Sequence, residues 1–121
     1  IDSGLVETFH PAAVPAGYAE AVRVNRVFDT EVFKANAEDM AQVNDHLARQ
    51  EPHYDSVGLP VIMLGGRSDR VVFTDRHAVP AANVLPQART VIRDDWGHML
   101  HHQAPQAVRD AIQALRPAGD N

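Results

Sequence analysis

The chain has 121 residues, 45% of them hydrophobic, with a net charge of −5 and no cysteine. That length suits one domain; the lack of cysteine excludes disulfides and thiolate metal sites, and the scattered lysines and arginines form no basic stripe for nucleic acid. No apolar run approaches the ~18 residues of a membrane-spanning helix; no signal peptide is visible, which says little for a chain that opens on Ile1, so the location is unknown and the cytoplasm stands only as a default.

Residues 1–17 hold Gly4, Pro11, Pro15 and Gly17 around Phe9-His10. They read as an ordered loop or linker, with His10 a surface or packing residue. Residues 18–28 carry Tyr18, Ala21, Val22, Val24, Val27 and Phe28 and predict a short helix. Asp29-Thr30 offers an N-cap to the next segment. Over residues 31–49, Val32, Phe33, Asn36, Met40, Val43 and Leu47 fall near one face at helical spacing, and most charges lie elsewhere. This predicts an amphipathic helix whose apolar face packs on the rest of the molecule or roofs a ligand pocket. His46 reads as a solvated helix residue. Pro52 ends the helix, and residues 50–58 lead into the sheet.

Leu59 to Leu64 reads as a buried strand, and Gly65-Gly66 as the turn that ends it. Asp69 then lies beyond the carboxyl end of the strand, the edge where open α/β sheets bind ligands. A turn-capping role is the alternative, a common use of aspartate after glycine. Thr74 or Asp75 is placed to cap a helix running towards Leu85, interrupted at Pro80. Residues 86–89 turn into a second strand, Thr90-Val91-Ile92, and the loop after it carries Trp96-Gly97-His98. The crossover between the strands should be right-handed. Strand, acid, helix, strand and histidine thus put a carboxylate and an imidazole at one edge of a parallel sheet. His98, His101 and His102 invite a zinc reading, but Met99 stands where His-Glu-x-x-His needs its glutamate, and no third ligand is evident. Residues 105–116, with Val108, Ile112 and Leu115 at helical spacing, predict a closing helix on the sheet, and 117–121 a frayed tail. Two parallel strands do not make a self-sufficient core, so the sequence reads as part of a domain.

Gly65-Gly66-x-x-Asp69 and Gly97-His98 resemble the C-terminal part of the α/β-hydrolase fold. The resemblance implies an α/β class with residues 57–121 as the end of the core and residues 1–56 as a helical cap. It implies that Asp69 is the acid and His98 the histidine of a Ser-His-Asp triad. Phe33, Met40 and Leu47 from the cap, with Val71 and Met99 beside the acid and histidine, are expected to line the substrate pocket. The family's chain order is nucleophile, acid, histidine, and only the last two are recognisable. Ser3, Ser56 and Ser68 lack the Gly-x-Ser-x-Gly surroundings, and no oxyanion segment is seen. A chain opening on Ile1 with this content is expected to be separated from its N-terminal part. That part, as a second polypeptide, is the expected partner and supplies the nucleophile. The implied activity is that of a serine hydrolase on esters or related small acyl substrates, without metal or cofactor. An aspartate nucleophile, as in epoxide hydrolases and haloalkane dehalogenases, is one alternative, and a non-catalytic binding module of the same fold is another.

Overall fold

In the computed structural model, residues 2–116 are described; the tail expected at 117–121 lies outside them. The N-terminal segment is not a loop. Asp2–Phe9 forms a helix, α1, and only residues 10–17 turn irregularly. The prolines that suggested a linker all follow the helix, where they interrupt nothing. The helix expected over 18–28 is split: Tyr18–Ala21 is α2, and Val24–Phe28 is a 3₁₀ turn. Arg23 separates them with φ 52°, a left-handed value that no α-helix continues through.

Thr30–Gln50 is α3, a 21-residue helix close to the span its periodicity predicts. Asp29 is its N-cap, but its carboxylate does not cap. It turns to Arg26 Nε at 3.4 Å, while the Asp29 carbonyl accepts the Phe33 N–H at 2.8 Å. A 3₁₀ segment, Glu51–Ser56, follows with Pro52 in its first turn.

Val61–Gly66 and Ala88–Arg93 are β1 and β2, paired in parallel with Val61 opposite Ala88 and Gly66 opposite Arg93. Gly65 and Gly66 therefore belong to the strand and not to the turn after it. Ala78–Val84 is α4, the crossover helix, and it packs on both strands. It starts three residues later than a Thr74 cap predicts, because the Thr74 hydroxyl donates to the Gly66 carbonyl at 2.7 Å. Pro80 then falls in the first turn, where its missing N–H costs nothing. Leu100–Gln103 is α5 and Pro105–Ala114 is α6. The small side chains of α6, Ala107, Ala111 and Ala114, face Ile62, Leu64 and Val91 of the sheet across a cavity of about 330 Å³. The closing helix is present, yet it leaves that face incompletely filled.

The burial is unusual for a chain of this size. Phe9 is the one hydrophobic side chain among the described residues with less than a tenth of its surface exposed. Every residue of α3 is exposed. The chain's accessible surface is 8957 Å², whereas a compact monomer of 13.3 kDa exposes about 6,450 Å². Val61 N–H donates to the Gln87 carbonyl and Arg67 N–H to the Arg93 carbonyl. Alternation along a parallel strand then aims the amides of Ile62 and Leu64 at the other edge of β1, where no strand of the described residues lies.

Candidate functional site: an aspartate–histidine pair at the sheet edge

Asp69 and His98 come from the loops that leave β1 and β2 at the same, carboxyl end of the sheet. His98 Nδ1 lies 3.1 Å from Asp69 Oδ2. The other carboxylate oxygen, Oδ1, accepts the backbone N–H groups of Val71 and Val72, each at 2.8 Å. The two carboxylate oxygens thus have different partners. One closes the turn after β1, and the other is presented to the imidazole. Because Oδ1 is held twice by backbone, Oδ2 has little freedom to swing away. The acid side chain is 11% exposed and the histidine 33%. With a carboxylate as acceptor, Nδ1 carries the hydrogen and Nε2 is left as an acceptor, able to take a proton from a neighbouring hydroxyl.

Arg67 and Arg70, on either side of Asp69 in sequence, do not pair with it. Arg67 reaches Asp75 at 2.6 Å and Asp94 at 3.1 Å, and Arg70 reaches Glu7 at 3.3 Å. The two arginine side chains are about half exposed and their partners as much or more, so the pairs contribute little energy each, but they tie the acid loop to its neighbours. Ser68 does likewise through backbone groups of the histidine loop. Its N–H donates to the Trp96 carbonyl at 3.0 Å and its hydroxyl to the Asp94 carbonyl at 2.7 Å.

The glycines serve close approach. Neither Gly66 nor Gly97 has a positive φ. A Cβ on Gly66 would lie 1.9 Å from the Trp96 carbonyl oxygen, and a Cβ on Gly97 would lie 1.6 Å from the His10 carbonyl oxygen. The first glycine lets the histidine loop lie against β1, and the second lets the N-terminal segment lie against the histidine loop. Sequence reading missed that second layer. Its one available signal was Phe9, a large apolar residue in a stretch otherwise read as linker.

A cavity of about 400 Å³, within the usual size of a small-molecule site, opens beside the pair. Asp69, His98, Val72, Met63, Leu64 and Leu100 are among its walls. Met63 and Leu64 are neighbours in sequence and point to opposite faces of β1, so the cavity wraps around the unpaired strand edge. Thr74 also lines it, but its hydroxyl is committed to Gly66. The hydroxyls of Ser56 and Ser68 are committed to the His53 and Asp94 carbonyls. Among the described residues, the one side-chain hydrogen bond of His98 is that to Asp69.

The remaining expected pocket residues are not gathered at the pair. Phe33 and Met40 are 62% and 64% exposed on α3. Leu47 lines a groove against α4 with Tyr54, Arg76 and Pro80. That groove shares His77 and Ala81 with the cavity at the pair. Val71 contributes its amide to Asp69 while its side chain is exposed. Met99 is half-buried, and its carbonyl accepts from the His102 and Gln103 amides. His101 and His102 lie on α5, where the His102 ring packs against Phe9 and Tyr18 with centroids 5.4 and 5.5 Å apart. Among the described residues no three potential ligand side chains converge on a metal position. No family model, curated protein or solved structure matches this chain.

Proposed function

We propose that the chain supplies the acid and histidine of a hydrolase of the α/β-hydrolase fold, and that a serine nucleophile reaches His98 from a second polypeptide bearing the preceding strands. The observation that carries this reading is the divided use of the Asp69 carboxylate. One oxygen is locked by the Val71 and Val72 amides and the other is aimed at His98 Nδ1 at 3.1 Å.

In the proposed reaction the serine hydroxyl gives its proton to His98 Nε2 as its oxygen attacks the acyl carbon. Asp69 holds the ring in the tautomer that makes Nε2 the acceptor, and it stabilises the imidazolium that forms. The proton then passes to the leaving alkoxide. Water repeats the sequence on the acyl-enzyme, and the serine is restored. The oxyanion donors would come from the same polypeptide as the serine. The unpaired edge of β1 and the cavity around it are where such a polypeptide would enter, and the exposed face of α3 is suited to cover the acyl group.

The test is His98→Ala in the protein as purified with its partner. Ester turnover should fall by at least ~10²–10⁴-fold, the contribution of base catalysis alone. A fluorophosphonate should label a serine of the partner in the parent protein. Undiminished turnover would overturn the reading. Covalent trapping of the substrate on an aspartate, with no phosphonate labelling, would move the protein to the epoxide hydrolase or dehalogenase class that uses the same pair.

A further inference from the structure

The amide side chain of Gln103 sits between two backbone groups that belong to different parts of the chain. Its Oε1 accepts the N–H of Gly97 at 2.8 Å, and its Nε2 donates to the carbonyl of Phe9 at 3.0 Å. The orientation of the amide is fixed by its partners. A backbone N–H can only donate and a carbonyl can only accept, so a flipped amide would lose both bonds. Both bonds are partly buried; the Phe9 carbonyl also accepts the Ala12 N–H at 2.9 Å, so the group that loses its partner without Gln103, at a cost, is the Gly97 N–H.

Gly97 immediately precedes His98. The loop between β2 and α5 is held upstream by Ser68, which binds the carbonyls of Asp94 and Trp96. At Gly97 itself the Gln103 side chain provides the hydrogen bond, and the His10 carbonyl closes the other side without room for a Cβ. Phe9, the anchor of the N-terminal segment, is 1% exposed and packs edge-on against Tyr18 at 4.7 Å and against His102. The same segment reaches the acid loop through Glu7 and Arg70. The N-terminal segment therefore touches the loops of both members of the pair.

We propose that Gln103 is a positioning residue for His98: by bridging the Gly97 amide and the Phe9 carbonyl it holds the imidazole at Asp69 and makes the docked N-terminal segment part of the catalytic geometry. The proposal rests on the reading of His98 as the catalytic histidine, and its primary readout needs no turnover. Gln103 acts through Gly97. It forms no hydrogen bond to His98 or Asp69 among the described residues.

The experiment is NMR on the protein as purified, any partner retained, with ¹⁵N-histidine labelling. In the parent, His98 should show a single Nδ1–H tautomer and a low-field, slowly exchanging Nδ1 proton. Gln103→Ala should erase the low-field proton and mix the tautomers, with backbone dispersion unchanged outside the N-terminal segment and the histidine loop. Gln103→Glu keeps an acceptor for the Gly97 amide and should restore the low-field proton at least in part. Turnover of Gln103→Ala should fall on the order of 10²-fold with KM little changed, as for misplacement of a catalytic group by about an ångström. An unchanged tautomer and low-field proton in Gln103→Ala would overturn the proposal. If the NMR result is as expected but His98→Ala turns over normally, the positioning stands and the hydrolase reading fails.

Discussion

Gly97→Ala tests whether the N-terminal segment and the histidine loop are one packed unit. The added methyl would lie 1.6 Å from the His10 carbonyl oxygen and 2.8 Å from its carbon. Both atoms are backbone, so no side-chain rotation relieves the clash. Either the histidine loop moves off the sheet or the segment around Phe9 leaves. The first route breaks the Ser68, Gln103 and Asp69 hydrogen bonds of the loop. The second loses the burial of the Phe9 side chain and the Gln103–Phe9 bond. Burying a phenylalanine contributes roughly 1.5–3 kcal/mol and one net hydrogen bond about 1 kcal/mol. Undocking is the cheaper route and caps the damage at about 2.5–4 kcal/mol, or on the order of 10²–10³ in the docking equilibrium. Hydrogen exchange should show the amides of α1 losing protection by that factor, while β1 and β2 keep theirs. Trypsin should cut after Arg23 faster than in the parent. Parent-like protection of α1 in Gly97→Ala would show that the segment is not seated on Gly97 and would refute this reasoning.

Asp69→Asn separates the two duties of the carboxylate. The amide oxygen still accepts from Val71 and Val72, so the turn and the thermal midpoint should hold. The NH₂ group then faces His98 Nδ1 and selects the wrong tautomer, and turnover should drop by about 10⁴-fold; a loss under tenfold in a steady-state ester assay would contradict the role given to Asp69. His102→Ala should do the reverse of His98→Ala. It removes a ring from beside Phe9 and Tyr18, so the melting temperature should fall while kcat changes little, and a kcat loss equal to that of His98→Ala would count against assigning the base to His98 alone.

The parts of this molecule that sequence made legible are those whose signal is local. An apolar run, two glycines and an aspartate lie within a few residues of one another, and so do a β-prone run, a glycine and a histidine. From those two stretches and a helix-length interval, the meeting of Asp69 and His98 at one sheet edge follows. The amphipathic α3 was equally legible from its repeat. What failed was set by partners far away in the chain. Phe9 is anchored by Gln103, 94 residues later, and nothing around Phe9 announces that. Asp29 has a capping residue's identity and position, but a nearby arginine takes its carboxylate. Thr74 has the same identity and is claimed by the Gly66 carbonyl. Gly66 was recognised as necessary for the wrong reason. Its position suggested a turn, and the structure uses the missing Cβ to bring two backbones into contact, as it does again at Gly97.

The amount of exposed surface bears on whether the chain has a partner. The chain exposes 8957 Å², which exceeds the expectation for a compact monomer of its mass by about 2,500 Å². An obligate interface buries roughly 2,000–5,000 Å² in total, about half from each side. The excess is thus what one side of the larger obligate interfaces removes from water. Its chemistry agrees. Phe28, Phe33, Met40, Leu59 and Ile112 are each 60% or more exposed, and the β1 edge offers the amides and carbonyls of Ile62 and Leu64 unpaired. Monomers keep such apolar area and strand edges covered. The proposed polypeptide with the preceding strands would pair with that edge and bring its serine into the cavity beside His98. Native mass spectrometry should then find a species well above 13.3 kDa. Hydrogen exchange at the Ile62 and Leu64 amides should be slow in that species and fast in the chain freed from it. Leu64→Pro, which removes one edge donor and leaves the β2-facing amides of Met63 and Gly65 in place, should weaken the association more than Phe33→Ser does. A 13.3 kDa monomer that melts cooperatively, with the Ile62 and Leu64 amides already protected, would show that the edge is closed without a partner and would leave the serine without a route to His98.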